Sequence, residues 1–135
     1  MKLFFLVILA LCQTAIAEVI DVTQIASKSQ KDVQAYLGEP THCESSKYGP
    51  KCYYDKGETE IVFIRNKADW ITVEALDDKP FDASILTELG LIPQQPTHQT
   101  KHVLRWQHRP EGYLSVSVFP GQTNTDYAYI KVTTP

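Results

Sequence analysis

Apolar residues recur with the spacing of one helix face at two places along the chain. In the first, Ser29 with Asp32 three positions later forms a capping box, and Gly38 follows the last apolar position. In the second, Asp82 supplies a cap and Gly90 supplies the stop. The pattern therefore predicts two short helices, each ending at a glycine.

Segments rich in β-branched and aromatic residues follow each predicted helix and are separated by turn residues. The predicted strands are 51–54, 59–65 and 70–76 in the first half, and 102–108, 113–119 and 126–132 in the second. Short turns join antiparallel neighbours, so each set forms a meander. The predicted fold class is α+β.

The two halves repeat one order of elements at a nearly constant spacing. Gly38 and Gly90 lie 52 residues apart, whereas the hairpin glycines Gly57 and Gly112 lie 55 apart. This favours tandem α-β-β-β units that form one antiparallel sheet with the helices on one face. The alternative is an α+β domain without internal repetition. The pseudo-repeats are residues 24–77 and 81–133.

The N-terminal segment is typical of a secretory signal peptide. Lys2 carries a positive charge, residues 3–11 are apolar, and the segment ends in small residues at Ala15 and Ala17. An apolar run of this length is about half of what a membrane-spanning helix needs. We therefore expect cleavage after Ala17, no transmembrane anchor, and one secreted or periplasmic domain at residues 18–135.

The three cysteines divide between that segment and the domain. Cys12 follows Leu11 in a sequence that resembles a bacterial lipoprotein signal, in which Cys12 would be lipidated, but such signals have a small residue where Leu11 stands. Cys43 and Cys52 remain, and an even number in an exported protein predicts a disulfide. The alternative is two free thiols in a reducing compartment. Two cysteines alone are too few ligands for zinc.

Composition excludes several classes of function. The length of 135 residues suits one domain, and a net charge of −3 excludes a basic nucleic-acid binder. The six glycines are dispersed, so phosphate-binding loops are absent. His98, His102 and Asp77 are the remaining candidates for chemistry, but no third metal ligand accompanies the histidines. We predict no metal and no cofactor, and a small secreted hydrolase or metal-dependent enzyme stays as an alternative.

The two faces of the predicted strands differ in composition. One is almost wholly apolar and belongs to the core, whereas the other combines aromatic residues and arginine with small polar residues, as protein-binding surfaces do. The same residue types also suit the solvent face of an open sheet. Residues 59–65 are apolar on both faces, so that strand is either covered twice or partly exposed. The partner-binding candidates are Trp70, Arg105, Arg109, Tyr113, Tyr127 and Tyr129.

The first helix and hairpin resemble the SmpA/OmlA family of outer-membrane assembly lipoproteins. The similar residues form the pattern S-x-x-D-V-x-x-x-L-G-x-P from Ser29 to Pro40, followed by an aromatic hairpin at Tyr53 and Tyr54. A doubled unit is similar to the architecture of β-lactamase inhibitor proteins. The resemblance implies a non-enzymatic envelope or secreted protein that binds another protein. A structural envelope component is a further alternative.

Overall fold

The computed structural model of the protein describes residues 18–135, so the predicted signal peptide and Cys12 lie outside the described residues. The helices are α1 (Gln30–Leu37) and α2 (Ile85–Glu88), with 3-10 helices at Val22–Gln24 and Lys56–Glu58. The strands are β1 (His42–Ser45), β2 (Pro50–Tyr54), β3 (Thr59–Ile64), β4 (Lys67–Val73), β5 (His98–Gln99), β6 (Leu104–Gln107), β7 (Ser115–Pro120) and β8 (Thr125–Lys131). Within residues 18–135, no helix is long and apolar enough to cross a bilayer.

All eight strands belong to one open sheet in the order β1-β2-β3-β4-β8-β7-β6-β5. Every neighbouring pair is antiparallel, and β4 joins the two meanders by pairing with β8 from Trp70↔Lys131 to Val73↔Ala128. The predicted α+β class with one antiparallel sheet is confirmed. The edge strands β1 and β5 were not predicted, because both are exposed along their whole length and their sequences show no apolar alternation.

The two helices begin in different ways. The Ser29 hydroxyl accepts the backbone N–H of Asp32 at 3.2 Å, so α1 starts with the predicted cap. Asp82 does not cap α2 directly, because its carboxylate accepts the N–H of Ser84 at 2.9 Å and forms a turn before the helix. The helix α2 is a single turn and is shorter than the sequence predicts.

The hydrophobic core lies between the helices and one face of the sheet. Side chains from both helices belong to the same buried cluster as those from the strands, so both helices cover this face. The indole N–H of Trp106 donates to the carbonyl of Gln94 at 2.9 Å, which satisfies its one polar atom inside the core. One fully buried row follows the strand register across the sheet: Cys52, Ile61, Ile71, Ile130, Val116 and Trp106.

The predicted disulfide is present. Cys43 and Cys52 are directly opposite each other on β1 and β2, with their Cα atoms 4.1 Å apart. Cys52 is fully buried in the core, whereas Cys43 is exposed at the edge of the sheet. The bond therefore ties an edge strand with no buried residues to the packed part of the molecule.

Candidate functional site

The sheet face opposite the helices, which we call the outer face, carries rows of side chains that follow the strand register. The central row has one member on every strand: His42, Tyr53, Glu60, Thr72, Tyr129, Ser117, Arg105 and His98. A second row contains Glu44, Lys51, Val62, Trp70, Lys131, Ser115 and Gln107. Adjacent rows put side chains from distant parts of the chain within reach of one another.

An aromatic cluster of Tyr48, Trp70 and Tyr129 lies at the middle of this face. The Trp70 ring lies 4.8 Å from the Tyr48 ring and 6.5 Å from the Tyr129 ring, measured between centroids. The ammonium of Lys131 lies 4.0 Å from the centre of the Trp70 ring, which is a cation–π contact. The indole N–H of Trp70 is shielded from solvent and has no hydrogen-bond acceptor within residues 18–135.

The β1–β2 hairpin loop holds Tyr48 in the aromatic cluster. Its Gly49 has φ +146°, and a Cβ there would lie 2.0 Å from the carbonyl oxygen of Phe63, so the loop packs directly against the backbone of β3. Val62 faces outward on β3, yet only 6% of it is exposed. The strand that is apolar on both faces is therefore covered on both sides, one of the two arrangements that the sequence left open.

A buried ion pair fixes Lys131 above the Trp70 ring. The ammonium of Lys131 lies 3.7 Å from the carboxylate of Asp69. That carboxylate also accepts the N–H groups of Thr133 at 2.6 Å and of Thr134 at 3.2 Å. Burial by itself would raise the pKa of Asp69, but the bonds from Thr134 and Thr133 and the charge of Lys131 outweigh it and lower the pKa. Burial lowers the pKa of Lys131, and Asp69 offsets part of this effect.

Charge is distributed unevenly along the outer face. On β1 to β3, the ammonium of Lys51 lies 3.8 Å from Glu44 and 3.4 Å from Glu60, so one cation serves two carboxylates. A hydrogen bond with Tyr53 and the charge of Glu60 raise the pKa of Lys51. On β5 to β8, the row positions contain no carboxylate, and the Nε of Arg105 donates to the Ser117 hydroxyl at 3.0 Å.

Two further aromatic contacts extend the surface toward its ends. Phe119 and Tyr127 stack with their centroids 4.8 Å apart, and His42 stacks on Tyr53 at 4.3 Å. Two open cavities, of about 260 Å³ and 320 Å³, are lined by residues of the outer-face rows but by no member of the aromatic cluster. The first is lined in part by Tyr53 and Glu74, and the second in part by Lys131.

Of the six predicted partner-binding residues, Arg109 and Tyr113 are the two that the structure places away from the outer face. Arg109 is 3% exposed and binds the carboxylate of Glu111, the side-chain oxygen of Gln94 at 2.9 Å and the carbonyl of Ile92 at 2.7 Å. Tyr113 is buried, and burial followed by the charge of Glu111 raises its pKa to about 12.

The chain turns sharply between β6 and β7, which explains that placement. His108 has φ +51°, and the N–H of Arg109 donates to the carbonyl of Tyr113 at 3.0 Å. The alternation of faces along β6 therefore does not continue into these residues. Trp70, Arg105, Tyr127 and Tyr129 remain, and all four are half-buried on the outer face.

The histidines are dispersed. His98 is on the exposed edge strand β5, His102 is exposed in the following loop, and His42 is on the opposite edge strand. Across residues 18–135, no three or more His, Cys, Asp and Glu side chains are grouped so that they could hold a metal ion.

Comparison with known proteins adds no assignment, since no family model, curated protein or solved structure matches this chain. The outer face must therefore be interpreted from its own residues. Tyr48, Glu60 and Lys131 were not among the predicted partner-binding residues. Alternation placed Lys131 on this face, but Tyr48 lies in a loop, and its position depends on the packing of Gly49.

Proposed function

We propose that the protein is an exported, non-enzymatic binding or inhibitor module that engages a protein partner through its outer face. The observation that carries this proposal is the cluster of Tyr48, Trp70 and Tyr129 with Lys131 beside it. Tyrosine and tryptophan are enriched at binding hot spots because they bury a large area with little loss of conformational freedom.

The contacts that hold the aromatic cluster in place favour a binding role over a merely solvent-facing one. Two of the three rings are held by neighbours: Trp70 by Lys131 on the adjacent strand, and Tyr48 by a loop that rests on β3. Groups that are ordered before binding lose less entropy on association. A broad face without a deep pocket among its central residues suits a macromolecule, whereas small ligands use deep pockets.

Export through a signal peptide cleaved after Ala17 is part of the proposal. The Cys43–Cys52 disulfide supports it, because such bonds persist in oxidising compartments. We also propose that the domain consists of tandem α-β-β-β units of the SmpA/OmlA type, each extended by one edge strand, β1 or β5. The strand order supports this, since the last strand of each half, β4 or β8, lies at the centre of the sheet.

The test is capture of a partner by the immobilised protein from envelope or culture fractions of its source. The double variant Arg105→Ala with Tyr129→Ala removes two outer-face side chains that lie outside the buried core cluster. We expect it to retain the parent circular dichroism spectrum and to weaken capture about 100-fold, since two truncations that each cost about 1.4 kcal/mol together raise the dissociation constant by that factor.

The matched control is Lys31→Ala with Gln34→Ala, two exposed positions on α1 at the other side of the molecule. This control should capture the partner as well as the parent does. Undiminished capture by the outer-face variant, or equal loss in both variants, would show that another surface binds the partner.

A further inference from the structure

The charges on the outer face divide at its midline. On one side, Glu44 and Glu60 share Lys51, which leaves one net negative charge on β1 to β3. On the other side, Arg105 forms no salt bridge within residues 18–135, and Lys131 is neutralised by Asp69. Beside the acidic strands, Glu74 and Lys47 add one charge of each sign, so that side keeps one net negative charge, and Arg105 gives the other side one positive charge.

A symmetric pair of faces can match these halves in one orientation. Two copies can stack their outer faces about a two-fold axis that lies between the faces and runs parallel to β4 and β8. Each strand of one copy then lies opposite the strand of the other copy that is the same number of positions from the opposite edge of the sheet. The β3 strand of one copy then faces β7 of the other. A two-fold axis across the strands would instead put like charges opposite each other.

The central row supplies the contacts for this orientation. Glu60 on β3 comes opposite Ser117 on β7, and the guanidinium of Arg105 is held over Ser117 by its 3.0 Å hydrogen bond. Thr72 on β4 comes opposite Tyr129 on β8. Each of these contacts occurs twice in a two-fold assembly, so the net interaction is doubled.

We infer that the outer face binds a second copy of this chain, in a two-fold dimer in which Glu60 of each copy pairs with Arg105 of the other. This inference rests on the proposed function and names the partner of the same face. The available area agrees with it: the eight strands span roughly 34 Å by 20 Å, or about 600 Å² after allowing for the short β5. Stable interfaces bury about 600 to 1,000 Å² on each partner, so this face lies at the lower end of that range.

Analytical ultracentrifugation of the protein purified from full-chain expression tests the inference. We expect the parent to form a dimer within a concentration range that extends to about 100 μM. The dimer dissociation constant should rise when added salt screens the charges. Glu60→Arg alone and Arg105→Glu alone should each raise the dimer dissociation constant at least about tenfold, because each creates two like-charge contacts. Lys31→Glu, on the opposite side of the molecule, is the matched charge control and should have no effect.

Mixing the two variants is the decisive step. In a mixed pair, the arginine introduced in one chain faces the glutamate introduced in the other, and the unchanged Arg105 faces the unchanged Glu60. An equimolar mixture should therefore recover the parent dissociation constant, whereas a misfolded variant could not be rescued in this way.

Two results would overturn the dimer: a parent that stays monomeric, or a mixture that stays as weak as the single variants. A monomer that still captures another protein through Arg105 and Tyr129 overturns only this inference. A monomer without capture overturns the proposed function too.

Discussion

Loss of the Cys43–Cys52 bond should destabilise the fold by an amount that depends on the length of the loop that the bond closes. The bond closes a loop with a sequence separation of 9 residues. In the chain-entropy model a loop of that length restricts the unfolded chain by about 2.6 kcal/mol at 25 °C. Cys43→Ser isolates this effect, because Cys43 is exposed and its replacement leaves the buried Cys52 in the core. We therefore expect Cys43→Ser to lower the free energy of unfolding by about 2.6 kcal/mol.

Urea unfolding followed by tryptophan fluorescence measures this change. With a slope near 1.5 kcal/mol/M, the midpoint should fall by about 1.7 M. Ser45→Ala is the matched control, since it changes an exposed residue on the same strand and should shift the midpoint little. A reductant should shift the parent to the midpoint of Cys43→Ser and leave that variant unchanged. A loss under about 0.5 kcal/mol, or an equal loss in Ser45→Ala, would refute the reasoning from loop closure.

Two further predictions concern backbone packing and pH. Gly49→Ala should lower stability by about 3 kcal/mol because the new Cβ meets the Phe63 carbonyl, whereas Gly112→Ala, at φ +94° with open space around it, should cost about 1 kcal/mol. Thermal unfolding compares them, and equal losses would contradict the close approach. Folding lowers the pKa of Asp69, so its ionised form stabilises the fold above the unfolded value of about 3.9, and this contribution is lost as pH falls through the folded pKa. Asp69→Asn should therefore cost about 3 kcal/mol at pH 7 and progressively less below about pH 4 in urea unfolding; a cost independent of pH would disprove this role.

Local signals predicted the elements that have a buried face. The capping box at Ser29 marks the start of α1, and the apolar segments mark six of the eight strands within a few residues. The strands β1 and β5 could not be found in this way, because they form by pairing with a neighbour and bury nothing themselves. Their presence depends on tertiary context, and β1 is also linked to β2 by the disulfide.

The candidate site was predictable only where strands are regular. Alternation placed Trp70, Arg105 and Tyr129 on the outer face because each lies inside a paired ladder. The same reasoning fails for Arg109, where a residue with positive φ interrupts the strand. Tyr48 joins the aromatic cluster through a loop that approaches β3 closely because Gly49 has no side chain. A hydrophobic periodicity cannot reveal such an approach.

The strand order also has a kinetic consequence. Seven ladders hold the sheet together, and all but the β4–β8 ladder join strands that follow one another along the chain. Partners in the remaining ladder, such as Val73 and Ala128, are distant in sequence. The chain therefore loses most of its loop-closure entropy in one step, in which the two halves, each formed by local pairing, come together. Because Trp70 lies on that seam with its ring against Lys131, its environment changes when the halves join.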